Sequence, residues 1–254
     1  MEADLQPHRS RYWLNAKTKA EDPVAFAAPV ETVCTVYAHA PTLEALGGQV
    51  VSTDAMTGVQ ALERSVPTMP MQPGRPERRE FEYIRHGTLS LIANFNVATG
   101  QVLAPSLGPT RTEEDFAAHI RRTVATDAGA SWLFLTDQLN THQSAALVRL
   151  VAEHDGLTED LGVQGQSGIL QSMPTRAAFL SDPAHRLQFL YVPKHTSWLN
   201  QVELWCSILA RRVIRRGNFA STDALRERIL QFIAYFNQTA KPFKWTYKGR
   251  PLCR

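Results

Sequence analysis

The chain has 254 residues, 44% of them hydrophobic and 9% aromatic, with a formal net charge of +3. That length and apolar share supply a sizeable core, exclude a disordered polymer, and suit one large domain or one domain with extensions. A net charge this small does not by itself mark a nucleic-acid binder, so the placing of the cations matters more than their sum.

The cysteines, Cys34, Cys206 and Cys253, lie far apart and form no C-x-x-C pair. They support neither a zinc ribbon nor a disulfide framework, and a reducing compartment is expected. The first residues, Met1-Glu2-Ala3-Asp4-Leu5, carry no apolar leader pattern, and no stretch reaches the length of a membrane span. A soluble intracellular protein without a membrane partner is the expectation.

Residues 1–45 read as a polar lead-in or linker, with Pro7, Pro23, Pro29 and Pro41 and one helix near 28–40. A catalytic domain is expected over 46–240. Its first strand, Gln49 to Thr53, is opened by Gly47-Gly48 and ended by Asp54. Residues 65–80 hold Pro67, Pro70, Pro73 and Pro76 among basic residues and read as an extended loop. Leu89, Leu91, Ala93 and Phe95 then alternate with polar neighbours, Thr99-Gly100 turns, and Val102 and Ala104 resume, which predicts a β-hairpin.

Thr112-Glu113-Glu114-Asp115 resembles a capping box that opens a helix with Phe116, Ile120 and Val124 on one face. Trp132-Leu133-Phe134-Leu135 is apolar at every position, as in a central strand covered on both sides, and Asp137 follows it. Thr141 is the expected cap of the next helix, with Leu147, Val148, Leu150 and Val151 inward. Residues 156–183 are rich in Gly, Ser and polar side chains and read as an insertion; Gly162, Gly165 and Gly168 there form no phosphate loop, because no Lys-Ser/Thr follows and no strand precedes. Gln188 to Val192 is a strand stopped by Pro193.

A long helix is expected from about Trp198 to Arg216, ended by Gly217, with Trp198, Val202, Trp205, Leu209 and Val213 as its buried stripe and Glu203 at the shoulder. A last helix, about 222–238, turns Leu225, Ile229, Phe232, Ile233 and Phe236 inward. The succession predicts an α/β domain with a mixed five-stranded sheet flanked by helices. Residues 241–254 form a basic, aromatic tail in which Lys244 and Lys248 alternate with Phe243, Trp245 and Tyr247.

Asp54, Asp137 and Glu203 are the informative residues: two acids after strands and one on a helix, placed so that they could converge on a divalent metal. Each alone has an ordinary explanation, as a turn or capping aspartate or as a glutamate near a helix start. Their settings narrow the choice. Ser52-Thr53-Asp54-Ala55-Met56-Thr57-Gly58, Thr136-Asp137-Gln138-Leu139-Asn140-Thr141-His142 and Ser197-Trp198-Leu199-Asn200-Gln201-Val202-Glu203 resemble the DDE transposases of bacterial insertion sequences in the mariner superfamily, of the insertion-sequence six-thirty type. The resemblance runs from about His8 to Leu252, and the W-L-N-Q-x-E string is its most specific part.

The resemblance implies a ribonuclease-H-like fold, with Asp54, Asp137 and Glu203 as catalytic residues holding two Mg²⁺ ions, for which Mn²⁺ substitutes. It implies metal-dependent cleavage and strand transfer of DNA during transposition. Asn140, His142 and Asn200 are expected to support the metal ligands. Arg75, Arg78, Arg79, Lys194, His195, Arg211, Arg212, Arg215, Arg216, Lys244 and Lys248 are expected to contact DNA; for the tail, packing of its aromatics into the core is the competing reading. A homodimer on element-end and target DNA, a helix-turn-helix segment encoded separately, and a place in the bacterial cytoplasm on the nucleoid complete the expectation. Three departures stand out: Ala55 where an acid is common, Gln138 where Asn is common, and a spacing of 66 positions from Asp137 to Glu203. The 156–183 insertion accounts for the spacing; Ala55 and Gln138, with the helix-turn-helix region expected elsewhere, leave as the alternative a catalytically impaired, truncated remnant that only binds DNA, while a ribonuclease H or junction resolvase shares the fold but not the W-L-N-Q-x-E string.

Overall fold

The structure, a computed structural model, describes residues 22–247. The predicted mixed sheet is present: β1 (Gly48–Arg64), β2 (Tyr83–Asn96), β3 (Val102–Gly108), β4 (Ser131–Thr136) and β5 (Leu187–Tyr191), in the order β3-β2-β1-β4-β5. The β1–β2 and β2–β3 pairs are antiparallel, whereas β1–β4 and β4–β5 are parallel.

One face of the sheet is covered by α2 (Glu113–Val124), α3 (Ala145–His154) and α4 (Met173–Leu180). Val51, Ile92, Trp132, Phe134 and Phe189 point into this layer, against Phe116, Ile120, Leu147 and Leu180. Thr112 closes a full capping box at the start of α2, as its sequence predicts. On the other face, α1 (Pro23–Ala45) packs Val30, Val33 and Tyr37 over Val50, Leu135 and Val192. Beside it, α5 (Gln201–Leu209) and α6 (Thr222–Gln238) cover Val59, Leu91, Ala93 and Phe95. Val202, Trp205 and Leu209 are fully buried there; each such side chain contributes about 1.5–3 kcal/mol by leaving water. The apolar run 132–135 is thus flanked on both sides, as expected.

Several expectations need correction. The first strand does not stop at Thr53. It continues to Arg64, so Asp54 lies inside β1 and not at its end. The helix expected near 28–40 in the lead-in is longer, starting at Pro23 and ending at Ala45, with Pro29 and Pro41 within it. Ser144, not Thr141, caps α3, accepting from the Leu147 N–H at 3.2 Å, because a short 3₁₀ turn over Asn140–Gln143 intervenes. The 156–183 insertion ends in α4, whose Arg176 donates to the Gln143 and Leu170 carbonyls and so ties the insertion to the core.

The long helix 198–216 is three pieces: a 3₁₀ turn at Ser197–Leu199, α5, and a π turn at Ala210–Ile214. Trp198 precedes α5 and is 47% exposed, so it is not part of the buried stripe. The tail folds as the packing alternative has it. Phe243 stacks on Phe95 at 4.7 Å, Trp245 meets Tyr37 edge-on at 5.0 Å, and Tyr247 meets Trp198 at 5.1 Å, while Lys244 stays exposed. Gly100 (φ +77°) lets this strap pass the β2–β3 turn, since a Cβ there would overlap the Lys241 carbonyl.

Candidate metal-dependent active site

Asp54 sits where the sheet forks. β1 pairs with β4 only over Gly48–Ser52, while its pairing with β2 continues, with Asp54 opposite Ala93. The loss of the parallel neighbour opens space beside Asp54, and Asp137, the first residue after β4, faces that space. Carboxylate oxygens of Asp54 and Asp137 and a ring nitrogen of His142 lie within 4.8 Å of one another. The two aspartates, 83 positions apart in sequence, therefore converge.

His142 belongs to the 3₁₀ turn that follows Asp137. Its ring is 1% exposed and lies 4.3 Å from the Phe116 ring. Nδ1–H donates to Asp137 Oδ1 at 2.6 Å, with Thr136 Oγ1 at 2.7 Å from the same nitrogen. The Leu139 N–H donates to Oδ1 as well, at 3.0 Å. Asp137 is thereby oriented by its own turn, the arrangement expected around a metal-binding carboxylate. Asn200 is fully buried, and its Nδ2 lies 3.2 Å from the Thr53 carbonyl and 3.5 Å from Asp54 Oδ2.

The electrostatics separate the two aspartates. Burial, then the Asp137 charge, pushes Asp54 up to about 7 from 3.8; Glu203 adds to this, against the Ala55 N–H and the charge of His142. Burial also acts to raise Asp137, but the His142 hydrogen bond and charge, the Leu139 N–H and Arg111 outweigh it and hold that carboxyl below its ordinary value. His142 and Arg111 offset the charge of Asp137, whereas at Asp54 burial and the neighbouring acids prevail and leave a carboxyl reluctant to ionise. A hard divalent cation with oxygen ligands fits this donor set, whereas no cysteine joins it as a soft-metal site would require.

Glu203 occupies the third position of α5, in the first turn where the helix dipole favours an acid. It is exposed and shares a cleft of about 170 Å³ with Asp54, Met56 and Cys206. Its charge is felt at both Asp54 and Cys206, but its carboxylate stands outside the 4.8 Å group. The structure thus brings Glu203 to the mouth of the site and not into contact with the aspartates. Asn140, expected as a support, is exposed at the start of its turn and takes no part in the hydrogen bonds that orient Asp137. The two departure positions are used structurally: Gln138 donates to the Val192 carbonyl at 3.1 Å, and Ala55 packs on the core.

The expected DNA contacts fall in several places. Arg75, Arg78 and Arg79 lie on an arm between β1 and β2, where Met69–Arg78 and Gln72–Arg75 bridges make a small hairpin. Arg211, Arg212, Arg215 and Arg216 are exposed on and just after the π turn. These two clusters meet at the base of the arm. There the Phe219 N–H donates to the Leu62 carbonyl, the Arg64 N–H to Asn218 Oδ1, and Arg79 and Arg216 line one cleft of about 450 Å³. Glu77 pairs with Arg79 in that cleft, and the hydrogen bond and charge of Arg79, with the charge of Arg216, hold its carboxyl low. Lys194 and His195 are exposed in the loop before Ser197, His195 with φ +62°. Lys248 lies outside the described residues.

Ser52, Tyr37 and Arg111 also bear on the site and have no signal in the sequence. A serine within the apolar run of β1 is unremarkable until its partner, 148 positions away, is known.

Residues 49–226 match the family model described as DDE superfamily endonuclease. No curated protein sequence matches the chain. Among solved structures, the fold is similar to the Mos1 transposase paired-end complex with left transposon end (TM-score 0.53, 11% identity, 91% of this chain and 60% of that one). It is similar also to the Mos1 mariner paired-end complex with Mn (0.53, 11%, 92% and 60%) and to the Mos1 strand transfer complex (0.53, 13%, 91% and 59%). The chain spans about three-fifths of the length of these transposase chains. At such identities the likeness establishes the architecture, which is the ribonuclease-H-like fold. With the family match covering well over half its length and both aspartates converging inside the matched region, the chain belongs to the DDE superfamily of endonucleases.

Proposed function

We propose that this chain is the catalytic part of a transposase of the insertion-sequence six-thirty type, which nicks the ends of a mobile DNA element and joins them to target DNA in the bacterial cytoplasm. The observation that carries the reading is the convergence of Asp54 and Asp137, with the Asp54 carboxyl pushed up to about 7 by burial and by its neighbour. When bound, two Mg²⁺ (or Mn²⁺) ions activate a water or 3′-hydroxyl and neutralise charge on the phosphoryl and leaving oxygens. Asp54 and Asp137 hold the metals from the sheet, and Glu203 completes the set from α5. His142 keeps Asp137 aligned and ionised. The exposed arginines of the arm and the π turn hold the phosphate backbone, and a homodimer with a separately encoded helix-turn-helix segment supplies end recognition.

The test supplies the purified chain with element-end DNA, any end-binding segment, and Mg²⁺ or Mn²⁺. Nicking is expected, with at least a hundredfold loss in Asp54→Ala, Asp137→Ala and Glu203→Gln. Full nicking by all three variants would overturn the assignment. DNA binding without nicking or Mn²⁺ binding in the wild type would favour the remnant reading, which the position of Glu203 outside the aspartate group supports.

A further inference from the structure

The start of α5 is held by an exchange of hydrogen bonds between two segments of the chain. Asn200 is the N-cap residue of this helix, yet its side chain makes no capping bond. An Asn at that position ordinarily takes the N–H two or three residues on. Here the amide crosses to β1, where Nδ2 lies 3.2 Å from the Thr53 carbonyl and 3.5 Å from Asp54 Oδ2. The N–H left over is that of Val202, and Ser52 Oγ accepts it at 2.8 Å from 150 positions away. The same hydroxyl donates its own hydrogen to Asn200 Oδ1. Ser52, Asn200 and Val202 are all fully buried. Tyr37 of α1 closes the other side by donating to the Leu199 carbonyl at 2.8 Å.

We propose that Ser52 is a positioning residue for the metal site: its hydroxyl caps α5 from β1 and so fixes Glu203 relative to Asp54. Glu203 follows Val202 directly, and Asp54 lies two residues beyond Ser52. The spacing of these two acids is therefore held by the Ser52 bond pair together with the Asn200 amide contacts to Thr53 and Asp54. Apolar packing of Val202 and Trp205 resists separation of α5 from the sheet, but it allows the helix to slide or turn. Directed hydrogen bonds restrict both, to the fraction of an ångström that a metal site requires. Removing the hydroxyl leaves the Val202 N–H and Asn200 Oδ1 buried without partners, and the first turn moves to regain them. This inference rests on the reading of Asp54, Asp137 and Glu203 as metal ligands.

The test measures Mn²⁺ affinity by the electron paramagnetic resonance signal of free Mn²⁺, and urea midpoints, for the whole chain without DNA. Wild type is compared with Asp137→Ala, Ser52→Ala, Asn200→Ala, the Ser52→Ala/Asn200→Ala double variant, and Ser221→Ala, which removes the side-chain cap of α6 away from the site. Ser52→Ala is expected to weaken Mn²⁺ binding about tenfold, and the double variant to be little weaker than Asn200→Ala, because the two residues act as one unit. Ser221→Ala is expected to lower the urea midpoint comparably while leaving Mn²⁺ affinity unchanged. Mn²⁺ affinity within twofold of wild type in Ser52→Ala, with a lowered midpoint, would show a cap that only stabilises and would overturn the proposal alone. If Ser52→Ala does not fold, Ser52→Cys, of similar shape with a weak donor, replaces it; intermediate affinity supports the proposal and wild-type affinity overturns it. A wild type that binds no Mn²⁺, or an Asp137→Ala variant that binds it equally well, would overturn the reading of the site and this proposal with it.

Discussion

Replacing Asp54 by asparagine is expected to stabilise the metal-free protein. The carboxyl titrates at about 7 in the folded chain and near 3.8 without its neighbours. Because the folded value is the higher, the folded state holds its proton more tightly. The group's favourable contribution is present below about pH 4, is lost as pH rises, and by pH 8 the ionised Asp54 opposes folding in full. At 1.36 kcal/mol per pH unit the gap corresponds to about 4 kcal/mol as an upper bound, and to roughly 2 kcal/mol once solvent screening at a half-buried side chain is allowed for. An amide preserves the shape and still accepts the Ala55 N–H, so the variant removes the charge and, with it, the long 3.5 Å bond from Asn200 Nδ2. Urea unfolding in a chelator at pH 8 is expected to show Asp54→Asn about 2 kcal/mol more stable than wild type, and the gain is expected to be smaller at pH 5. Added Mn²⁺ is then expected to stabilise the wild type and not the variant. An equal gain at both pH values, or none at pH 8, would show that the Asp54 charge is not the source of strain at this site.

Metal binding carries the same signature: apparent Mn²⁺ affinity is expected to rise about tenfold per pH unit below 7 and to level off above it, as one proton leaves Asp54, and a pH-independent titration would refute this. Gly100→Ala is expected to cost 2 kcal/mol or more, from its positive φ and the overlap with Lys241. Because the strap covers Phe95 and Tyr37, the same variant is expected to redden Trp245 emission, and an unchanged spectrum and midpoint would contradict it. Charge reversal at Arg75, Arg78 and Arg79 and, separately, at Arg211, Arg212, Arg215 and Arg216 is expected to weaken binding to all DNA sequences alike and to flatten its salt dependence. Unchanged slopes in both variants would remove these clusters from the DNA contact surface.

What the sequence shows about this site is local, and what it conceals is relational. Asp137 is visible because Trp132–Leu135 is a strand buried on both faces, and its consequence is confined to the next residues. The rest of β1 is hidden because register shifts between Met56 and Val59 and between Gln60 and Leu62 break the two-residue period that marks a strand. The helix expected near 28–40 runs further in both directions, through Pro41 as well as Pro29. Trp198 is placed in the core by its size and by helical spacing from Val202. The 3₁₀ turn before α5 changes the phase, and the indole emerges at the surface. His142 is legible as a residue near Asp137, but its hydrogen bond to that carboxylate follows from a turn geometry that the sequence does not spell out. Ser52 and Asn200 are the extreme case, two buried partners 148 positions apart with no local trace of each other.

The forked sheet also makes β1 a mechanical element. From Asp54 to Arg64 the strand advances ten residues, about 33 Å at roughly 3.3 Å per residue, and along this stretch it has left β4 behind and is held edgewise by β2. A ribbon paired to one strand and tied near its far end by Phe219 and Asn218 bends and twists as a leaf spring does, most easily at the two register shifts. The root of this spring is Asp54, and its far end carries the arginine arm. A load that twists the arm is therefore expected to reach the Asp54 carboxylate as a rotation. Such coupling acts in both directions, so fixing Asp54 is expected to stiffen the arm.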